Sequence, residues 1–360
     1  MKEGDDIFGY TLTSPGSSAG GGRSMWAFAD KGGESYFVKR FLTPKYPVEG
    51  SPGSPANKAT ALKRCEAFEI RNRRILDAII KKIGRGGSIV APLTFNRVGP
   101  TYYKVYDRID VSGLSPKQIS DLSNSQKNLI LRVVAHSVSI LHHEEIIHGD
   151  LKPDNILIKR SDLGTFTAKL IDFDDSYFAA EVPDDPEAIV GDPAYYSPEL
   201  LNYVRLGGAD IAARIETKSD IYAMGLVFHQ YITGVLPDFD RKHFDSAAAF
   251  SLLGRGFLDE DVKGCGALSP LIASMLHSDP LKRPASSEIL AALRVFGSAA
   301  HGRITDGRSS VVKTAVDTTG APRLKIKEPS RAAIPPEPTI PVEPVIPARS
   351  TRLFIRDKRR

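Results

Sequence analysis

The chain has 360 residues, of which 41% are hydrophobic and 25% charged, which excludes an intrinsically disordered polypeptide and allows a large core. Its two cysteines, Cys65 and Cys265, lie far apart, which excludes a disulfide framework or a cysteine zinc cluster and points to a reducing, cytoplasmic setting. The net charge of +5 sits at one end: residues 297–360 carry 13 Lys+Arg against 6 Asp+Glu, so the body is near neutral and offers no nucleic-acid-binding face.

The opening MKEGDDIFGY lacks a signal-peptide pattern, and no run of eighteen apolar residues occurs, so no membrane span is expected. Residues 1 to about 108 read as strand-rich with one long helix. A glycine run, Gly20, Gly21 and Gly22, precedes two aromatic and β-branched segments, 24–29 and 35–41. The KGG between them, at 31–33, predicts a hairpin. The Pro/Gly/Ser-rich stretch 43–55 must be loop. Leu62, Cys65, Phe68, Leu76, Ile79 and Ile83 recur at helical spacing, predicting a helix over about 57–83. From about 110 to 297 the pattern is mainly helical, with helices at 126–143, 220–234, 268–276 and 286–295. The segment 220–234 is apolar enough to be buried all round. Eight prolines between Pro322 and Pro347 favour an extended or disordered tail. A docking segment is the sharper alternative for this basic tail.

The segment HGDLKPDN, residues 148–155, is a polar turn between apolar flanks. Phosphoryl transfer needs such a rigid loop: Asp150 to orient a hydroxyl nucleophile, an amide oxygen on Asn155 to ligate Mg2+, and Lys152 to neutralise the moving phosphoryl group. Asp172, at the end of a strand predicted over 166–171, can hold a second position on the same metal. Lys39 lies mid-strand after the glycine run, the order in which backbone amides cover phosphates and a buried lysine reaches them. His136, His142, His143 and His229 have no carboxylate or cysteine cluster beside them, so no transition-metal site is expected.

These segments resemble the protein-kinase family. GDPAYYSPE at 191–199, KSDIYAMGLVF at 218–228 and DPLKRP at 279–284 extend the likeness, in order, from about residue 7 to residue 296. The resemblance implies an α+β, two-lobed protein-kinase fold with a small β-rich N-lobe (5–109), a larger helical C-lobe (110–297) and a Pro-rich tail (298–360). It implies ATP, with Mg2+ or else Mn2+, as cofactors. It also implies a protein substrate, a cognate phosphatase as a partner, and autophosphorylation. Gly20, Gly21 and Gly22 would cover the phosphates, and Lys39 would reach them. Glu66 and Glu69 are both candidates to hold Lys39; Glu69 shares a helix face with Cys65, Asn72 and Leu76 and is the expected one. Tyr106 would stand behind the adenine, and the amides of Asp107 to Ile109 would bond its edge. Asp220 would brace the catalytic loop beside His148, and Arg283 would pair with Glu199. Lysine after Asp–Leu, at Lys152, is the pattern of Ser/Thr kinases, and the chain looks like the stand-alone bacterial ones.

Four departures stand out. The glycine loop does not follow G-x-G-x-x-G. Gly149 stands where an Arg usually precedes the catalytic Asp, implying less dependence on phosphorylation of Ser176, Tyr177, Tyr195, Tyr196 or Ser197. Asp172–Phe173–Asp174 replaces Asp–Phe–Gly, implying a stiffer segment. The partner of Lys39 is ambiguous. Two other functions fit less of the chain: a pseudokinase scaffold, and a small-molecule phosphotransferase of the aminoglycoside or choline kinase type.

Overall fold

The computed structural model describes residues 1–18, 24–83, 87–109, 113–160, 164–252, 257 and 262–302. Gly20, Gly21 and Gly22 and the Pro-rich tail lie outside them. The N-terminal part is one antiparallel sheet of β1 (Asp6–Ile7), β2 (Tyr10–Leu12), β3 (Ser24–Lys31), β4 (Glu34–Phe41), β5 (Thr94–Val98) and β6 (Thr101–Asp107), in the order β1-β2-β3-β4-β6-β5. The β3–β4 hairpin turns at Gly32 and Gly33, whose φ of 67° and 84° lie in the left-handed region. That is why the KGG signal works as a turn.

Alternation along the strands divides the sheet into two faces. Val38, Val105, Ala27, Ala29 and Leu12 close one face. Phe41, Phe95 and Tyr102 line the other, where they meet Cys65 and Phe68 of helix α1 (Pro55–Ile83). The Phe68 ring lies 5.1 Å from both Phe41 and Tyr102, so aromatic contacts fix the height of α1 over the sheet.

The remaining described chain is mainly helical. Short α2 (Pro116–Ser120) leads into α3 (Asn124–His143). The sequence placed the start of α3 at 126, but Ser123 and Gln126 form a reciprocal capping box, each accepting the other's backbone N–H, and the helix begins earlier. Then come β7 (Ile146–Ile147), the hairpin of β8 (Ile156–Arg160) and β9 (Phe166–Leu170), and β10 (Tyr177–Phe178), which pairs with β7. Helices α4 (Pro198–Leu206), α5 (Ala209–Ala212), α6 (Lys218–Thr233), α7 (Ala247–Leu252), α8 (Ser269–Met275) and α9 (Ser286–Gly302) complete it. Helix α6 is buried from Ser219 through His229 and packs against α2, α3 and α8. It ends at Gly234, φ 87°, a left-handed C-cap. Segment 88–90 runs beside β9, with Leu170 N–H on Ser88 O and Val90 N–H on Leu170 O, tying the two parts together.

Arg283 and Glu199 form the expected ion pair. The guanidinium donates to both carboxylate oxygens, at 2.7 and 2.8 Å. Its remaining donors reach the carbonyls of His277, Lys218 and Ser278. Both side chains are inaccessible, at 0% and 3% exposure. The pair pins the start of α4 to the start of α6. Removing one charge leaves the other buried and alone, so Arg283→Met should cost about 3–5 kcal/mol of stability. Denaturant unfolding measures this, and Glu199→Gln should lose a similar amount.

Candidate active site

The loop after β7 is held from below by Asp220, which is 3% exposed. One oxygen accepts the His148 N–H at 2.8 Å, the other the Gly149 N–H at 3.2 Å. His142 Nε2 of α3 donates to the same carboxylate at 3.1 Å. The His148 ring is fixed in turn: Nε2 donates to Ile171 O and Nδ1 accepts the Asp150 N–H. It also lies 5.1 Å from the Phe173 ring. His148 thus links the loop to the segment that carries Asp172.

Asp150 is the hub of the loop. Its Oδ1 accepts the Asp192 N–H at 2.9 Å and a bond from Lys152 Nζ at 3.1 Å. Its Oδ2 accepts from Asn155 Nδ2 at 2.9 Å, and Lys152 Nζ lies 2.8 Å from it. Burial works against the Lys152 charge, but Asp150 outweighs it and the lysine pKa is raised. Asn155 spends its NH2 on Asp150, on both the carboxylate and the main-chain carbonyl. Its amide oxygen is the atom left to meet a cation.

Asp172 follows β9 with φ 65°, a left-handed conformation that Asp tolerates better than most residues. Lys39 Nζ donates to its two oxygens at 2.8 and 2.7 Å. The same ammonium stands 2.6 Å from Asp174 Oδ2. A second buried lysine, Lys104, reaches Asp174 Oδ1 at 2.5 Å. Burial pulls the Lys39 pKa down, yet Asp174 and Asp172 overcome this and hold it above the ordinary lysine value. Burial pushes Asp174 up, but Lys104 and Lys39 reverse that and hold it far below the usual carboxylate range. Asp172, raised by burial and by Asp174 beside it, is the weaker acid of the two.

The expected Lys39–Glu69 pair is not formed. Glu69 does face the sheet, as its helix position required. However, its Oε1 accepts from Tyr102 OH at 2.7 Å and lies 3.8 Å from Arg97 Nε. Glu66 is exposed. Lys104 lies in no motif that marks it as a site residue. What could have found it is the register: an alternating strand that puts a lysine directly opposite Lys39 on a buried face demands an anion.

Tyr106 is buried, opposite Phe37 in the ladder, with the rings 6.1 Å apart. Burial, with Asp174 and Asp172 nearby, raises its pKa well above the ordinary tyrosine value. Tyr106 therefore borders the lysine–aspartate cluster as well as packing in the core. Of the amides expected to meet the adenine, that of Arg108 already donates to Ser35 O at 3.2 Å. Asp107 is exposed and Ile109 half-buried.

Several hydroxyls in 176–197 are internal ties. Ser176 Oγ donates to His148 O, Ser197 caps α4, and Tyr195 OH donates to Gln230. Tyr177 and Tyr196 are buried. Gly149 has φ 80°, and a Cβ there would stand 2.7 Å from Asp175 O. Glycine is thus needed at this position because segment 173–176 passes against it.

Oxygen donors on Asn155 and Asp172 suit a hard divalent cation. Among the described residues no group of three or more His, Cys, Asp or Glu side chains is arranged to hold a metal ion.

A family model for the protein kinase domain matches residues 111–293, half of the chain, and the chain belongs to that family. Members use ATP with a divalent metal, generally Mg2+. Among similar proteins are serine/threonine-protein kinase GL21140 of Drosophila persimilis, 32% identical over 178 residues, and serine/threonine-protein kinase pkn3 of Myxococcus xanthus, 28% identical over 176 residues. The matches cover 48% and 44% of this chain but only 22% and 29% of those proteins. No helix among the described residues is long and apolar enough to cross a membrane.

Gly149→Ala should lower both stability and activity, because left-handed backbone costs a non-glycine residue about 1–2 kcal/mol before the clash with Asp175 is counted. Thermal unfolding and a kinase assay together measure this. Burial, together with Asp174, Asp172 and Asp150, pushes Asp175 up to about 7 from 3.8. Its proton is therefore held more tightly in the fold, and metal-free protein should lose stability as pH rises through 7. In EDTA, Asp175→Asn should melt higher than wild type at pH 8, and the difference should vanish as pH approaches 3.8.

Proposed function

We propose that this chain is an ATP- and Mg2+-dependent serine/threonine protein kinase that transfers the γ-phosphoryl group of ATP to protein hydroxyls, its own included. The observation that carries the reading is the joint geometry of Asp150, Lys152 and Asn155 with the Lys39–Asp172 pair. In this reading 5–109 and 110–297 act as the two lobes and the site lies between them.

Asp150 accepts the hydrogen bond of the incoming Ser or Thr hydroxyl and orients the oxygen for in-line attack. It keeps its own rotamer because Asp192 N–H, Asn155 and Lys152 hold it. Lys152, beside the nucleophile, offsets negative charge on the transferred group. Asn155 and Asp172 are the residues that would hold Mg2+, which supplies neutralisation of the phosphate oxygens when bound. Lys39 donates to the phosphates, and Tyr106 closes the site behind the base. Gly20, Gly21 and Gly22 are the candidates to cover the phosphates. Two buried, free cysteines support a reducing, cytoplasmic location.

A nucleotide-binding scaffold without turnover is the second reading, favoured by one observation: Glu69 does not pair with Lys39. Asp150→Ala separates the two. A kinase loses about 10²–10⁴-fold in kcat, the value of a positioned acid–base group, while keeping its ATP affinity. Full activity in this variant, or no phosphoryl transfer in the wild type, would sink the kinase reading.

A further inference from the structure

We propose that Asp174 is the positioning carboxylate of Lys39, with Lys104 as its counter-charge, in the role expected of Glu69 on α1. This inference rests on the kinase reading above.

Lys39 and Lys104 are direct partners in the β4–β6 ladder. Both side chains leave the sheet on the face that α1 covers. Two ammonium groups side by side in a buried layer repel each other and require an anion between them. Asp174 is that anion: Oδ2 lies 2.6 Å from Lys39 Nζ, and Oδ1 lies 2.5 Å from Lys104 Nζ. Lys104 is further enclosed by the Phe41 and Phe95 rings, 5.5 and 5.7 Å from its ammonium.

The carboxylate on α1 is committed elsewhere, to Tyr102 and Arg97. Asp172 is the more exposed partner of Lys39, at 32% against 10% for Asp174. It also has the chemistry to meet a cation. Asp174 gives one oxygen to each lysine, so Lys39 keeps a carboxylate partner however Asp172 is used. Lys39 is therefore aimed by the metal-binding segment rather than by α1. Moving segment 172–175 would disarm Lys39 and displace Asp172 in one step. The aspartate at position 174 and the lysine at position 104 act as one device.

The test is a double-mutant cycle read in both stability and catalysis. Asp174→Asn leaves Lys104 buried without its anion, so this variant should melt lower and lose about 10²-fold in kcat/KM for ATP, the size expected when a phosphate-contacting group is misplaced. Pairing it with Lys104→Met should restore the melting temperature but not kcat/KM. Asp174→Glu should recover part of the activity. Glu69→Gln should lose less kcat/KM than Asp174→Asn. Recovery of kcat/KM in the double variant would reduce Asp174 to a structural role and overturn the proposal. So would a greater loss in Glu69→Gln, or a rise in the Mg2+ concentration needed for half-maximal activity of Asp174→Asn, which would make Asp174 a metal ligand. Asp150→Ala runs beside these: if it too is fully active the kinase reading fails, whereas if only the Asp174 variants are unaffected this inference alone fails.

Discussion

Lys39 and Lys104 stand opposite each other on neighbouring strands, in a layer that Phe41, Phe95 and Tyr102 of the sheet share with Cys65 and Phe68 of α1. Nothing about strand pairing makes that stable. Two positive charges out of water would each seek to lose a proton, and the sheet would pull apart around them. Asp172 and Asp174 reverse the balance. They arrive from a different part of the chain, more than sixty residues after Lys104, and they make the cluster neutral. The β-rich part and the helical part are thus joined by charges that neither could bury alone. The backbone bonds of 88–90 with Leu170 supply a second, non-ionic tie beside it.

The helical part is organised around buried acids in the same manner. Asp220 collects two loop amides and a histidine, which fixes the backbone that presents Asp150. Glu199 collects a full guanidinium fork. Each acid joins segments distant in sequence, and each is satisfied by several donors at once, the condition under which a buried charge is tolerated. The loop that carries Asp150 takes its rigidity from Asp220, and rigid placement of the reacting groups is what a phosphoryl-transfer site requires.

The chain told much of this in advance, and unevenly. Local signals read well. The KGG turn, the helical period around Cys65 and Phe68, and the apolar run of α6 needed only propensity and period. Asp220 and the Glu199–Arg283 pair were implied by the resemblance to the protein-kinase family. The partner of Lys39 did not. Glu69 was on the correct face of α1, but a helix face is about 100° wide and the sheet beneath offers several rows. Tyr102 OH lay in the row that Glu69 reached. Asp174 looked like a replaced glycine that stiffens a turn, when it is half of an ion pair with Lys104. That pairing depends on register between β4 and β6, and register is a tertiary fact. Gly149 looked like a missing arginine. Its φ and its closeness to Asp175 O add a backbone requirement to that reading.

The reading as a metal-dependent protein kinase is tested most directly by transfer of labelled γ-phosphate from ATP to the chain itself and to a generic protein substrate, wild type beside Asp172→Ala. The wild type should label protein only when Mg2+ is present, and the variant should fall by about 10²-fold or more while remaining folded, as expected for loss of a metal ligand at the reacting phosphate. Equal labelling by the two proteins, or transfer to a small amine or sugar with none to protein, would contradict it.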